Sequence, residues 1–126
     1  MKVEDVLAEV KTLKPNTYDD DILIKWISDL EWKMIDDILK THEDGEDTPE
    51  YEDFAGYTEE DMNADMLVPD RYADVYKLYV FAQIDFHNNE SVRYQTSVLM
   101  FNNALQQYAD YYNRTHKPKG NPLKVF

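Results

Sequence analysis

A chain of 126 residues, 43% of them hydrophobic and 13% aromatic, has the size and apolar content of one domain with a genuine core. It contains no cysteine, which excludes disulfides, thiol nucleophiles and Cys-based zinc or iron–sulfur sites. Of the formal charge of −13, −11 lies between Glu43 and Asp65, a segment without Lys or Arg; the remainder is nearly neutral and has no broad basic footprint for phosphates or anionic lipid.

From the N-terminus, Val3, Val6, Leu7, Val10 and Leu13 recur at three- and four-residue steps, predicting a short amphipathic helix over 3–14 that ends before Pro15. No apolar run here has signal-peptide length and none anywhere spans a bilayer, so a soluble, unsecreted protein is expected. Thr17 is the expected cap of a second helix over 19–40, with Asp19, Asp20 and Asp21 at the positive end of its dipole. Leu23, Ile27, Leu30, Met34 and Ile38 form its apolar face, flanked by Ile24, Trp26, Ile35 and Leu39. Asp29 with Lys33 and Asp36 with Lys40 are spaced for i,i+4 pairs on the other side.

Periodicity vanishes over 42–68, the acidic loop, which is punctuated by Pro49 and by Tyr51, Phe54 and Tyr57. Thr58 followed by Glu59, Glu60 and Asp61 has the form of a capped acidic first turn. A third helix, 70–87, opens near Pro69 and Asp70 and carries Tyr72, Val75, Tyr76, Leu78, Tyr79, Val80, Phe81, Ile84 and Phe86 almost all round, as a central helix would. A turn at His87-Asn88-Asn89 leads to a fourth helix over 90–114, making a tight antiparallel hairpin. Tyr94, Val98, Phe101, Leu105, Tyr108 and Tyr112 make its heptad-like seam, too short for a long coiled coil and suited to bundle packing. A basic extended tail, 115–126, follows, with His116, Lys117, Lys119 and Lys124. The expected fold is all-α: a single domain, a bundle of about four helices with a central antiparallel hairpin and a long acidic loop.

Tests for chemistry fail one after another. His42 and His87 sit at helix ends, where the dipole favours an imidazolium, and His116 lies in the tail; no HExxH or i,i+4 histidine pair exists. An EF-hand register fails, because Lys40 would stand first for Gly45 and Tyr51 first for Gly56. Asp36-Asp37 is a pair that so acid-rich a chain produces by chance. Asp85, between Ile84 and Phe86 on the most apolar helix, needs a cation, and a salt bridge to Arg93 or Lys25 is the expected solution. No phosphate loop or nucleophile elbow is present, so no catalytic, cofactor or metal residues are assigned and the chain is read as not an enzyme. The expected interaction surface comprises Tyr94, Tyr108, Tyr111, Tyr112 and Arg114 with Glu43, Asp44, Glu46 and Asp47, aromatic and charged groups of the kind that subunit contacts use.

Asn16-Thr17-Tyr18, Ile24-Lys25-Trp26-Ile27-Ser28-Asp29-Leu30, Leu67-Val68-Pro69-Asp70-Arg71-Tyr72, Ile84-Asp85-Phe86-His87-Asn88, Phe101-Asn102 and Tyr111-Tyr112-Asn113-Arg114-Thr115-His116 together give a pattern. It resembles small head-tail connector (adaptor, head-completion) proteins of tailed bacteriophages and prophages of Gram-positive bacteria, over about Asn16 to Pro118. The resemblance implies a virion structural protein, present in the bacterial host cytoplasm during viral assembly. Its subunits form an oligomeric ring that links the portal protein to tail-side connector proteins and lines the DNA passage. It implies no cofactor, no membrane and no sequence-specific nucleic acid binding. The alternative from another class is a small acidic protein-binding or DNA-mimic regulatory module of a phage or prophage, its acids facing a basic partner.

Overall fold

In the computed structural model, which describes residues 1–120, helix α1 (Val3–Leu13) buries Val3, Val6, Leu7 and Val10 along one stripe. Leu13, expected on that stripe, is exposed, because the helix ends there and its last turn clears the core. Helix α2 (Asp20–Asp37) buries its whole expected apolar face. Asp19 stands at its cap without a side-chain bond, so the Thr17 cap is corrected: Asn16 instead accepts from the Tyr18 amide in a local turn. The helix stops at Asp37, short of Lys40, and tightens into a 3₁₀ turn at Leu39–Thr41. The ion pairs on its outer face are Lys25–Asp29, Lys33–Asp37 and Asp36–Lys40, so Asp29 reaches back to Lys25 and not forward to Lys33.

Pro69 starts a 3₁₀ turn, Asp70–Tyr72, and helix α3 (Asp74–His87) follows, later than expected by one turn. It packs against α1, α2 and helix α4 (Ser91–Thr115), which is why apolar residues surround it. Phe86 is the exception and is exposed at its end. The α3–α4 hairpin turns within three residues. Asn89 takes the left-handed conformation at φ 57°, its amide bonds to the Phe86 carbonyl, and the Glu90 amide bonds to that of Asp85, the Schellman pattern in which Asn is a common substitute for Gly. α4 has 25 residues and spans about 37 Å at ~1.5 Å per residue. Among the described residues these are the four α-helices of an all-α bundle, and no helix is long and apolar enough to cross a membrane.

The acidic segment does not leave the body. Tyr51, Met66 and Val68 are buried, and Phe54, Tyr57, Met62 and Leu67 pack half-buried against the core. The Ala64 and Met62 carbonyls accept from the Val3 and Glu4 amides, which satisfies two donors that a helix start leaves without intrahelical partners. The loop therefore caps α1 and covers one side of α2. Thr58 caps the 3₁₀ turn Glu59–Asp61 and receives the Asp61 carboxylate in return, as its sequence form predicts.

Candidate interaction surface

The buried tyrosines of α4 are core residues first. Tyr108 and Tyr112 are covered, and Tyr72 lies against both Tyr108 and Tyr111, with ring centroids 5.9 and 4.9 Å away. Tyr94 is half-buried beside Phe86 at 5.5 Å, seventeen residues before Tyr111 and about 25 Å along the helix from it. The expected aromatic surface thus divides into two ends and a core, because a heptad seam facing a neighbouring helix cannot also face a partner.

At the C-terminal end the structure gathers most of the remaining residues. The Asp47 carboxylate accepts from His116 Nε2 at 2.8 Å and from the Tyr111 hydroxyl at 3.3 Å. Those bonds, His116 first, hold the Asp47 carboxyl below its usual range. His116 is buried and stacks on Tyr112 with ring centroids 3.8 Å apart. His42, also buried, bonds through Nδ1 to the Ile38 carbonyl and through Nε2 to Asn113. The Glu43 amide donates to the Lys117 carbonyl, and the Lys119 amide to that of Thr41. Two histidines and two backbone bonds therefore clasp the start of the acidic loop to the end of α4, so the tail is not free over 115–119. Lys124, part of the expected basic tail, lies outside the described residues. Arg114, Glu43, Asp44 and Glu46 remain exposed around the clasp.

Beside the clasp the loop forms a cleft of about 770 Å³, with Tyr51, Phe54 and Tyr57 among its walls and Asp44, Glu50, Glu52, Asp53 and Asp65 around it. These carboxylates give the cleft a negative field suited to cationic groups. Among the described residues no set of three or more His, Cys, Asp or Glu side chains is grouped to hold a metal ion.

Two buried carboxylates explain how the loop and helices are fixed. Asp85 is 2% exposed and accepts two bonds from Lys14 Nζ, both at 2.7 Å, and one from Ser97 Oγ at 2.6 Å. The expected partners are corrected: Arg93 pairs with Glu90 and Lys25 with Asp29, whereas Lys14, at the end of α1, is the lysine whose stem reaches inward. Glu31, which the sequence reading missed, is fully buried on α2. Its Oε2 accepts from the Tyr57 hydroxyl at 2.6 Å and the Leu67 amide at 3.1 Å, and its Oε1 from the Tyr76 hydroxyl at 2.7 Å. Burial pushes its carboxyl up, against the three hydrogen bonds, and burial beside Glu31 pushes both tyrosines well up. A signal existed: Glu31 lies seven residues after Ile24, four before Ile35 and seven before Ile38, all buried, so helical spacing alone puts it inside.

On the outer side of α2 the loop holds Trp32. Its ring meets Phe54 edge-on at 5.2 Å, and a Cβ on Gly56 would stand 2.9 Å from its Cη2. Gly56 also sits at φ 96°, which side chains rarely adopt. Gly56→Ala is expected to destabilise the protein by about 1–3 kcal/mol and to shift Trp32 fluorescence as the indole is displaced, readable in one urea titration. No protein-family model, curated protein or solved structure matches the chain.

Proposed function

We propose that this chain is a phage virion structural protein, a head-tail connector subunit that joins the portal to the tail and lines the DNA passage. The observation that carries this reading is the sequence pattern running from Asn16 to Pro118. Three of its segments fall on junctions that define the bundle: Leu67–Tyr72 leads into α3, Ile84–Asn88 ends α3 at the hairpin, and Tyr111–His116 supplies the clasp; Ile24–Leu30 and Phe101–Asn102 lie within α2 and α4. The helical architecture supports it. An acidic surface is also compatible with DNA that must pass without sticking, since carboxylates repel phosphates. On this reading the protein partners itself and the portal, occurs in the host cytoplasm during assembly and ends in the virion, and performs no catalysis.

The purified chain, alone and mixed with portal rings, is to be examined by native mass spectrometry and electron microscopy. Rings of this subunit seated on the portal are the expected result. A chain that stays monomeric in both conditions overturns the reading. The cleft favours a second reading, a small acidic module that engages a basic protein in place of nucleic acid. Under it, changing Asp44, Glu50, Glu52 and Asp53, exposed acids that line the cleft and lie outside the clasp, to their amides abolishes partner capture without affecting the fold.

A further inference from the structure

Besides Leu13, Ile22 and Phe86, the exposed large apolar side chains include those of α4 and Trp32 on α2. On α4, Val92 and Leu99, seven residues apart, are 78% and 62% exposed and project from the side opposite the buried Phe101 and Tyr108, whereas Met100 lies to one side, in the groove beside Tyr72 and Leu78. From Ser91 to Ala109 the helix carries a single charged residue, Arg93, and no acid. In a chain of net charge −13 this is the surface that another acidic body can approach without repulsion. Two large apolar side chains two helical turns apart, on a face whose other residues are uncharged, also leave an apolar strip that water solvates poorly.

The second feature is the groove of about 610 Å³ on α2, floored by Ile24 and Trp32 and edged by Asp21, Glu59 and Glu60 and by Lys25, which pairs with Asp29. At 3.6 residues per turn, Trp32 points away from the Met34 and Asp37 edge, which faces α4 across a cavity. Trp32 is 41% exposed yet held by Phe54 and Gly56, so its ring is a preset platform. A fixed, half-exposed tryptophan within a polar rim is the kind of feature that dominates contact energies. With Lys25 taken up by Asp29, its rim keeps a net negative charge from Asp21, Glu59 and Glu60, where the α4 strip is neutral to basic. Arg93 is 72% exposed, and its only cost in turning to a new carboxylate is the surface pair with Glu90.

We infer that the α4 strip of one copy docks in the Trp32 groove of the next, with Val92 and Leu99 on the indole and Arg93 against Glu59 and Glu60. Like pairing of two α4 strips would bring the two arginines together, and pairing two grooves would stack their carboxylates, so charge favours unlike faces. A contact between unlike faces is heterologous. It leaves a free strip and a free groove on every dimer and propagates until the rotation closes a ring. This deepens the connector reading and rests on it for closure into a ring; the contact itself rests on the two faces.

The absence of native cysteine makes the test clean. Leu99 and Glu60 are both exposed, so Leu99→Cys and Glu60→Cys are compatible with folding. Under mild oxidation at high protein concentration, the double variant is expected to give a ladder of dimer, trimer and larger species on non-reducing gels. The two single variants mixed are expected to give a heterodimer and nothing larger. Adding Val92→Glu is expected to reduce the ladder at least tenfold. A dimer from Leu99→Cys alone that exceeds the mixed product overturns the inference in favour of α4 pairing with itself. A yield no higher than that of a control pair, Thr12→Cys with Glu60→Cys, overturns it outright. Rings on the portal without a ladder would discard this contact and leave the connector reading standing; a ladder without portal rings would do the reverse.

Discussion

Glu31→Ala is expected to destabilise the protein by about 3–5 kcal/mol, because it leaves the buried Tyr76 hydroxyl and the partly buried Leu67 amide without an acceptor and opens a void on α2. The effect should reach the loop before the helices. Tyr57 and Leu67 belong to the acidic segment, and Glu31 is where their hydrogen bonds converge on α2, so amide exchange over residues 54–68 should rise more than exchange in α3. Glu31→Gln keeps an acceptor and the volume and should cost only about 1–2 kcal/mol.

The pH dependence distinguishes these variants further. The folded carboxyl titrates above its ordinary value of 4.5 because burial disfavours the charge, so the folded state holds the Glu31 proton more tightly than the unfolded chain does. Its contribution to stability is therefore fully present below pH 4.5 and is lost as pH rises through the raised folded value. Tyr57, half-buried, can accept the carboxyl proton and turn its own toward water. The difference in urea stability between the native chain and Glu31→Gln should shrink with rising pH. A difference that grows would mean that the hydrogen bonds to the carboxylate outweigh its desolvation.

Asp85→Ala should cost about 2–4 kcal/mol. It removes the partner of Lys14, whose ammonium is only partly exposed, and the acceptor of Ser97. The pair ties the end of α1 to α3, and Ser97 ties α3 to α4, so one carboxylate holds three helices together. A double-mutant cycle on Lys14 and Asp85 should give a coupling of about 2 kcal/mol. The same cycle on the exposed Lys25 and Asp29 should give about 0.5 kcal/mol or less, because water already screens that pair. Equal couplings would mean that burial adds nothing at Asp85.

Helix identity follows from local physics, and so it was readable. Apolar residues at three- and four-residue steps fix which face of α1 and α2 turns inward, Pro15 ends the first helix, and Asn88-Asn89 ends the third, because each acts within a few residues of chain. The sequence by itself also determined where the charge resides and that cysteine chemistry is absent. The spacing of Ile24, Glu31, Ile35 and Ile38 carries a signal for a carboxylate in the core that the sequence reading missed. Only the tertiary structure decided what meets it. Lys14 is 71 residues from Asp85, Tyr57 is 26 from Glu31, and His116 is 69 from Asp47. No local preference encodes such pairings, which depend on how helices cross and how a loop without periodicity lies back upon them. For the same reason Tyr108 and Tyr112 became core, while Val92, Leu99 and Trp32 were left facing outward. Periodicity finds the inward stripe of a helix, and packing decides which of its remaining sides stays uncovered.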